Sequence, residues 1–339
     1  MNVLITGANG FVGLNVVKAL VAAQHQVTAY VRASSNVAFL SRFGVKLVQG
    51  ELHDSVALRA AMTGQDAVIH TAGNTSSNPR DWPLLEAVNI NGTRCVVDAA
   101  LETGIARLVY TSTTSTMGAH DTPQAEATEE TALTGFRAGN PYAKSKLQAE
   151  ALIYRACDRG LSAVILNPAE VLGAYDYNMQ WGRMVLAVIH NQLPFMPPGG
   201  ASFCSAKAVG EAHVRALSQG NAGERYILAG ANVRYTDLIS EIEAVTGCQA
   251  TLSRPPYAWF YLKTLLQEKF PRLIPGEPIL DAYRLRVFKG TYYFSSAKAE
   301  RFLGYQPVSL SQMVEECASW YRANGFIAPA PSGSLAVTK

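Results

Sequence analysis

The chain has 339 residues, of which 48% are hydrophobic and 16% are charged, a composition typical of a folded globular protein rather than a disordered one. The net charge of +3 is small, and Lys and Arg are scattered, so no nucleic-acid-binding surface is expected. The five cysteines form no C-x-x-C pair and the histidines lack metal-ligand spacing, so we expect free thiols, a cytoplasmic protein and no metal site.

The N-terminal sequence enters an apolar strand directly, without the basic and apolar regions of a signal peptide. No window approaches about 18 uninterrupted apolar residues, the length that a membrane-spanning helix needs. We therefore expect neither secretion nor a membrane span.

Short β-rich runs alternate with helical patterns in the first half of the chain, which predicts β-α-β units and a parallel sheet. A further strand at 224–228 is predicted to return to this sheet. The other predicted strands are 2–6, 26–31, 45–49, 67–71, 107–111 and 162–166, with helices that begin near Phe11, Ser35, Ser55, Pro83 and Pro141.

A glycine-rich turn follows the first predicted strand. Gly7 permits a tight bend, Gly10 lets a pyrophosphate approach the backbone, and Gly13 lets the helix pack close to the strand. The N-terminus of that helix offers free N–H groups to an anion. The spacing predicts a dinucleotide site rather than an ordinary turn, and the residues assigned to it are Gly7, Asn9, Gly10, Phe11, Val12 and Gly13.

These elements predict an α/β protein with a Rossmann-type doubly wound parallel sheet and a smaller C-terminal substrate lobe. Residues 1–168 and about 206–230 are assigned to the dinucleotide-binding domain. Residues about 169–205 and 231–325 are assigned to the lobe, where helical segments are expected among irregular stretches. The Ala- and Pro-rich segment 328–339 is predicted to be a flexible tail.

The end of the second predicted strand favours NADP(H) over NAD(H). No acid is present there to hold the ribose hydroxyls of NAD, whereas Arg32 can pair with a 2′-phosphate. NAD(H) stays an alternative, because Arg32 can also be an ordinary solvated cation.

Two further strand ends are predicted to border the cofactor. Glu51 and Leu52 follow the third strand, where an acid can accept a hydrogen bond from adenine, although Glu51 and Asp54 can equally cap the next helix. After the fourth strand, the small residues Thr71, Ala72 and Gly73 let the backbone run against the dinucleotide.

Tyr142 and Lys146 are four residues apart, on one face of a helix that Pro141 can start. A free tyrosine has a pKa near 10. A neighbouring Lys⁺ and a positive nicotinamide ring both favour its phenolate, so we expect them to lower the pKa of Tyr142. Tyr142 could then act as a general acid or base. The fifth strand ends in a hydroxyl-rich run, one member of which can hydrogen-bond a substrate carbonyl.

Seven stretches carry a family resemblance: 6–13 (TGANGFVG), 89–93 (NINGT), 109–113 (VYTST), 142–146 (YAKSK), 167–173 (NPAEVLG), 223–228 (GERYIL) and 303–307 (LGYQP). Through them the sequence resembles the extended short-chain dehydrogenase/reductase family, part of the NAD-dependent epimerase/dehydratase superfamily. Within it, the sequence is most similar to the dihydroflavonol reductase-like and 3β-hydroxysteroid dehydrogenase-like members. The resemblance extends to about residue 325.

The resemblance implies roles for individual residues. Tyr142 matches the family's acid/base and Lys146 its ribose-binding lysine, so both are also cofactor contacts. Thr113 matches the catalytic serine, with Ser112 as the alternative hydroxyl. The two residues expected beside the nicotinamide carboxamide are Pro168 and Val171.

The sequence departs from the family pattern at two places. Asn167 stands where the family usually has Arg, and Lys207 and Ala208 stand where it usually has paired acids. Both departures make the substrate lobe less predictable.

The sequence thus predicts an NADPH-dependent oxidoreductase that reduces a ketone or aldehyde of an apolar or aromatic small molecule, or oxidises the matching alcohol. Two alternatives stay open: a sugar-nucleotide epimerase or dehydratase with no net redox change, and a non-catalytic NADP-binding sensor or interaction protein. The oligomeric state stays open, although the resemblance implies a possible homodimer through the helices that begin near Pro83 and Pro141.

Overall fold

The computed structural model describes residues 1–120, 125–249, 256–270 and 282–327. The predicted flexible tail, 328–339, lies outside these residues. Within them, the strands are β1 (Asn2–Thr6), β2 (Gln26–Val31), β3 (Lys46–Gln49), β4 (Ala67–His70), β5 (Arg107–Thr111), β6 (Ala163–Pro168), β7 (Glu170–Leu172), β8 (Gly200–Ser205), β9 (Arg225–Leu228), β10 (Ala231–Arg234) and β11 (Thr291–Tyr292).

The described α-helices connect these strands and cover both faces of the main sheet. They are α1 (Phe11–Ala22), α2 (Ser55–Met62), α3 (Trp82–Leu85), α4 (Gly92–Glu102), α5 (Pro141–Asp158), α6 (Gly182–Ile189), α7 (Ala206–Arg215), α8 (Tyr235–Thr246), α9 (Tyr257–Lys269), α10 (Ala282–Lys289), α11 (Ala297–Leu303) and α12 (Leu310–Ala323).

The main sheet is parallel throughout, with the strand order β3-β2-β1-β4-β5-β6-β9. Successive residues of β1 alternate between the two faces: Val3 and Ile5 join the apolar layer that includes α1, whereas Leu4 joins the layer that includes α5. The predicted fold class is confirmed, and so is the existence of all seven predicted strands. The chain reverses its winding direction between β1 and β4, which is where ligands bind in such sheets.

The helix predicted near Ser35 is wrong. The segment between β2 and β3 holds only a 3₁₀ helix, Leu40–Phe43, and the Asn36 side chain accepts a hydrogen bond from the Ala38 backbone N–H at 3.0 Å. Short polar side chains that form such local hydrogen bonds compete with the backbone hydrogen bonds of a helix. This competition explains why no α-helix forms between β2 and β3.

A second sheet was not predicted. β10 pairs antiparallel with β8, and both β7 and β11 pair parallel with β8. These strands are two to six residues long, and β8 opens with small residues, so they lack the apolar alternation that identifies a strand. Gly200 is required at this opening, because a Cβ there would lie 2.6 Å from the Val233 carbonyl oxygen.

Two buried histidines lie at opposite sides of the main sheet. His70 Nδ1 is 2.6 Å from Thr6 Oγ1 and its Nε2 is 3.0 Å from Thr93 Oγ1. His213 Nδ1 is 2.7 Å from the Val209 carbonyl oxygen and its Nε2 is 2.7 Å from Thr111 Oγ1. Burial, helped at His70 by Lys146, lowers the pKa of His70 to about 3, and burial lowers that of His213 to about 4.

We expect the free energy of unfolding to fall as the pH drops from about 6.5 towards 4. In this range the two histidines bind protons in the unfolded chain but stay neutral in the folded chain. Each histidine contributes at most about 1.4 kcal/mol per pH unit. Urea titrations at several pH values measure the slope. His213→Gln should flatten it, and an unchanged slope in this variant would contradict the assignment to His213.

Candidate active site

The glycine turn sits between the ends of β1 and β4. Gly7 has a φ of 71°, and a Cβ there would lie 2.5 Å from the Ala72 backbone nitrogen. A Cβ on Gly13 would lie 2.1 Å from the Gly7 carbonyl oxygen. Gly10 caps α1 without a side-chain hydrogen bond, and no acid occupies the first turn of α1. The first N–H groups of the helix are thus directed at the crevice, in the arrangement that suits a pyrophosphate.

Core packing and one hydrogen bond hold the glycine turn in place. Phe11 is buried in the core, Val12 packs partly buried against it, and the Asn9 carbonyl oxygen accepts a hydrogen bond of 2.7 Å from the Tyr177 hydroxyl. Tyr177 follows β7, a strand of the second sheet, so this hydrogen bond joins the glycine turn to the segment between β7 and α6.

The ends of β2 and β3 differ in character. Arg32 is exposed immediately after β2, and its guanidinium makes no hydrogen bond or ion pair within the described residues. Glu51 is exposed and Leu52 is partly buried. Of the two acids that could cap α2, Asp54 does so, with its carboxylate accepting from the Ala57 N–H at 2.9 Å.

The end of β4 brings backbone close to α5. Thr71 Oγ1 donates to the Thr6 carbonyl at 2.8 Å, which keeps the two strand ends together. A Cβ built on Gly73 would come within 4.0 Å of Lys146 Nζ. The segment Thr71, Ala72 and Gly73 therefore lies between the glycine turn and the helix that carries Tyr142 and Lys146.

α5 begins as the sequence indicates. Asn140 caps it by accepting from the Ala143 N–H at 3.1 Å, and Pro141 takes the first position. Ser145 donates to the Tyr142 carbonyl and receives a 2.8 Å hydrogen bond from Asn89. Asn89 lies in a π-helical segment, Glu86–Asn91, a geometry frequent at functional sites. This contact fixes the first turns of α5 against the preceding helix.

Lys146 is buried and lies among polar backbone and aromatic groups. Its Nζ donates to the Thr111 carbonyl oxygen at 2.7 Å and lies 4.3 Å from the centre of the Tyr110 ring. Burial lowers the pKa of Lys146 to about 7, although the carboxylate of Glu150 acts in the opposite direction. The charge on Lys146 therefore responds to pH near neutrality.

The pKa of Tyr142 runs opposite to the expectation from the sequence. Burial raises it to about 12, the carboxylates of Glu170 and Glu150 add to the rise, and a hydrogen bond with the Thr113 side chain opposes it. In the chain without a cofactor, burial thus outweighs any effect of Lys146, whose ammonium donates to the Thr111 carbonyl oxygen. The lowering expected with a bound nicotinamide ring stays a prediction.

The two candidate hydroxyls have different partners. Ser112 is buried and donates to Glu150 Oε1 at 2.5 Å. Thr113 is partly buried beside Tyr142 and accepts a hydrogen bond from the Ser115 N–H at 3.1 Å. The Thr113 hydroxyl in turn donates to Ser115 Oγ at 3.2 Å, whereas that of Ser112 is held by a buried carboxylate.

A buried polar network behind Thr113 was not predicted. Asn167 Nδ2 reaches the Thr113 carbonyl oxygen at 3.0 Å and Glu150 Oε1 at 2.9 Å. Glu150 is only 2% exposed, and its other oxygen is 3.8 Å from the Arg225 guanidinium. The only signal in the sequence was Asn167 itself, which departs from the family's usual Arg. The network holds the end of β5 in place relative to α5.

The end of β6 and the strand β7 border the candidate site on the side away from the glycine turn. Pro168 is buried at the end of β6, and Val171 is partly buried in β7. Between them, Glu170 accepts a hydrogen bond from the Trp181 indole, and burial raises the pKa of its carboxyl. Glu170 was not predicted, because a single acid inside an apolar stretch carries no spacing signal.

The aromatic helix α9 is only partly buried. Phe260 of α9 is buried and its ring lies 4.9 Å from that of Phe195, but Trp259 is 54% exposed. Among the described residues, no helix combines the length and hydropathy needed to cross a bilayer.

The residues present fit a dinucleotide. The glycine positions exclude side chains at the turn, the first turn of α1 offers its N–H groups, and the predicted contact residues flank the crevice between β1 and β4.

Comparison with known proteins agrees with this geometry. The model of the NAD dependent epimerase/dehydratase family matches residues 3–229. Sterol demethylase protein B of Methylococcus capsulatus is 30% identical over 96% of this chain and 100% of its own length. The human 3 beta-hydroxysteroid dehydrogenase type 7 is 29% identical over 90% of this chain and 91% of its own length.

Solved structures share the fold. The crystal structure of gox2253 has a TM-score of 0.83 and 29% identity, covering 96% of this chain and 99% of that one. DesIV, a dTDP-glucose 4,6-dehydratase from Streptomyces venezuelae with bound NAD, has a TM-score of 0.78 and 22% identity, covering 97% of this chain and 99% of that one. The chain therefore belongs to the NAD-dependent epimerase/dehydratase family, among the extended short-chain dehydrogenases/reductases.

Proposed function

We propose that the protein is an NADPH-dependent oxidoreductase that reduces a ketone or aldehyde of an apolar or aromatic small molecule, or oxidises the matching alcohol. The observation that carries the proposal is the meeting of Thr113, Tyr142 and Lys146 beside the glycine turn, at the edge where the parallel strands end. The 3 beta-hydroxysteroid dehydrogenase relative supports hydride exchange at a carbinol carbon.

Each of the three residues has a distinct chemical part in this proposal. The Thr113 hydroxyl orients the carbonyl oxygen, and Tyr142 gives its phenolic proton to that oxygen as negative charge develops. Lys146, once turned from the Thr111 carbonyl, stabilises the phenolate that remains. The dinucleotide, when bound, supplies or accepts the hydride.

The high pKa of Tyr142 has a consequence for this mechanism. A phenol with a pKa near 12 stays protonated at neutral pH, which suits a proton donor in the reducing direction. In the oxidising direction, a positive charge must come close to lower the pKa of Tyr142, and Lys146 is the cation within the same helix turn. The proposal therefore favours reduction.

Arg32 carries the preference for NADP(H). We expect Arg32→Ala to raise the Kd for NADPH by about 10- to 100-fold and to leave the Kd for NADH little changed, because the lost partner is the 2′-phosphate. Fluorescence titrations with both cofactors measure the two constants. Lys18→Ala, an exchange on the exposed face of α1, is the matched control. An unchanged ratio of the two affinities in Arg32→Ala would contradict the assignment.

The residues of the second sheet and the helices around it are proposed as the substrate lobe, with 1–168 and about 206–230 as the cofactor domain. Trp181 stacks on Tyr235, which gives this lobe an aromatic interior beside Glu170. A cytoplasmic location and a homodimer stay predictions from the sequence, and sedimentation analysis tests the second.

A sugar-nucleotide epimerase or dehydratase is the second candidate, because DesIV shares the fold. The aromatic lobe argues against a sugar diphosphate, which needs several cationic or polar partners. A non-catalytic sensor is disfavoured by the complete set of Thr113, Tyr142 and Lys146. Steady NADPH consumption with aromatic or aliphatic carbonyl compounds, and none with sugar nucleotides, is the expected result. NADPH binding without turnover of any carbonyl compound would support the sensor.

A further inference from the structure

The helix α9 is apolar on two opposite faces, and the protein covers only one of them. On the inner face, Phe260 is buried with its ring 4.9 Å from that of Phe195, and Thr264 is buried one turn later. The outer face and the residue that follows it carry large apolar side chains three and four positions apart: Trp259, Leu262, Leu265, Leu266 and Phe270. A helix with apolar side chains all round is normally buried on every side, so this face needs a cover.

These five side chains, here called the outer stripe, are open to solvent, with exposed fractions between 36% and 56%. Side chains of this kind have areas of about 150–250 Å² each, so the outer stripe exposes on the order of 450 Å² of apolar surface. Patches of about 300–600 Å² are the largest on typical monomers and are often functional. The outer stripe is therefore a candidate binding surface.

Positive charges border the outer stripe, and the acid of α9 is directed away from it. Lys263 Nζ lies 5.5 Å from the centre of the Trp259 ring, and Lys269 Nζ lies 5.7 Å from that of Phe270. Glu268 is the only acid in the sequence of α9, and its carboxylate accepts a hydrogen bond of 2.8 Å from the first N–H of α10. An apolar stripe bordered by lysines complements an apolar phase with a negatively charged surface.

We propose that the outer stripe of α9 binds the surface of a lipid bilayer that contains anionic lipids. Leu262 and Leu266 enter the boundary between headgroups and acyl chains, Trp259 lies at the level of the headgroups, and the lysines contact lipid phosphates. The 13 residues of α9 extend about 20 Å, less than the roughly 30 Å of a hydrocarbon core, so the helix lies along the surface. This inference does not rest on the proposed function, because binding needs only the surface of α9.

The size and composition of the outer stripe favour a bilayer over a protein partner. A stable protein interface buries about 800 Å² on each partner, well above the apolar area of the outer stripe. Lysine is depleted in protein interfaces, whereas it is favoured on helices that lie on anionic membranes. The other possible covers are a second copy of the chain and the segments on either side of α9 in the sequence, 250–255 and 271–281.

Flotation with large unilamellar vesicles tests the proposal on the full chain. The wild-type protein should bind vesicles of phosphatidylcholine and phosphatidylglycerol, and bind vesicles of phosphatidylcholine alone more weakly. Leu262→Ser/Leu266→Ser should lower the partition coefficient for the mixed vesicles by roughly tenfold or more. Lys263→Gln/Lys269→Gln should lower it by roughly 5- to 30-fold, as high salt should for the wild type. Val56→Ser, which removes a 68% exposed apolar side chain from α2, is the matched control and should bind like the wild type.

Tryptophan fluorescence shows whether the outer stripe enters the bilayer or a basic surface merely adsorbs to it. Mixed vesicles with brominated acyl chains should quench the emission of the wild-type protein. The chain has four tryptophans, so Trp259→Phe identifies the one that is quenched. This variant keeps an aromatic ring on the outer stripe, so it should still float with the vesicles, but the additional quenching should be lost.

Four outcomes would overturn the proposal. The first is a wild-type protein that does not bind the mixed vesicles, and the second is equal binding by Leu262→Ser/Leu266→Ser. The third is binding without quenching that depends on Trp259. The fourth is a wild-type dimer, seen by sedimentation, that Leu262→Ser/Leu266→Ser dissociates while neither protein binds vesicles, which would assign the outer stripe to a second copy. Circular dichroism melts check folding, and if Leu262→Ser/Leu266→Ser does not fold, Trp259→Phe and Lys263→Gln/Lys269→Gln decide.

Discussion

Tyr142→Phe should lower kcat for NADPH-dependent carbonyl reduction by about 10² to 10⁴-fold, the range typical for loss of a general acid. The phenylalanine ring fills the same space, so packing and cofactor binding should persist. Without the phenol, the oxygen of the substrate has no proton donor as the hydride reaches the carbon. The rate at which the absorbance of NADPH decreases measures the effect.

The control for this experiment lies on the same helix. Tyr154→Phe removes a hydroxyl from a partly buried tyrosine three turns further along α5, away from the strand ends. It should leave kcat within about twofold of the wild type, the spread expected for a surface-proximal change. Circular dichroism melts confirm that both variants fold. Near-normal reductase activity in Tyr142→Phe would remove Tyr142 from the mechanism.

Lys146→Met should lower kcat/KM for NADPH and also change its dependence on pH. In the free protein the pKa of Lys146 is lowered to about 7, so the lysine is charged below this pH and loses its charge above it. The wild-type kcat/KM should therefore fall as the pH rises above about 7, by up to roughly tenfold per pH unit. Initial rates from pH 6.5 to 9 measure this profile.

Three proteins complete the comparison. Lys146→Met should give low and nearly pH-independent values across this range. Lys146→Arg, whose guanidinium stays charged, should move the fall beyond the measured range even where its absolute activity is low. The exposed Lys144→Met on the same helix should keep the wild-type profile. A persistent fall near pH 7 in Lys146→Met would assign the titration to another group.

Much of the main sheet could be predicted because its strands are buried, apolar and regularly spaced. The bounds of β1, β2 and β5 agree with the predicted ones, and the start of α5 was fixed by Asn140 and Pro141. These features are local: a glycine turn, a cap or a pair four residues apart can be read without knowing what packs against it.

The rest depends on contacts between distant parts of the chain. The second sheet could not be predicted, because strands as short as β11 exist only through their pairing with β8. The direction of the pKa shift of Tyr142 follows from burial, which no spacing reveals. Ser112 and Thr113 are adjacent in the sequence, yet the carboxylate of Glu150 captures only the first.

The proposed reaction is net hydride transfer from NADPH to a carbonyl carbon, with Tyr142 as the proton donor. NADPH deuterated at both C4 positions of the nicotinamide, incubated with the protein and an aromatic or aliphatic ketone, allows this transfer to be followed by mass spectrometry of the alcohol. We expect one deuterium on the carbinol carbon for each NADPH oxidised, with loss of the signal in Tyr142→Phe. Conversion of a sugar nucleotide with no deuterium gained and no NADPH consumed, alongside inert ketones, would contradict it.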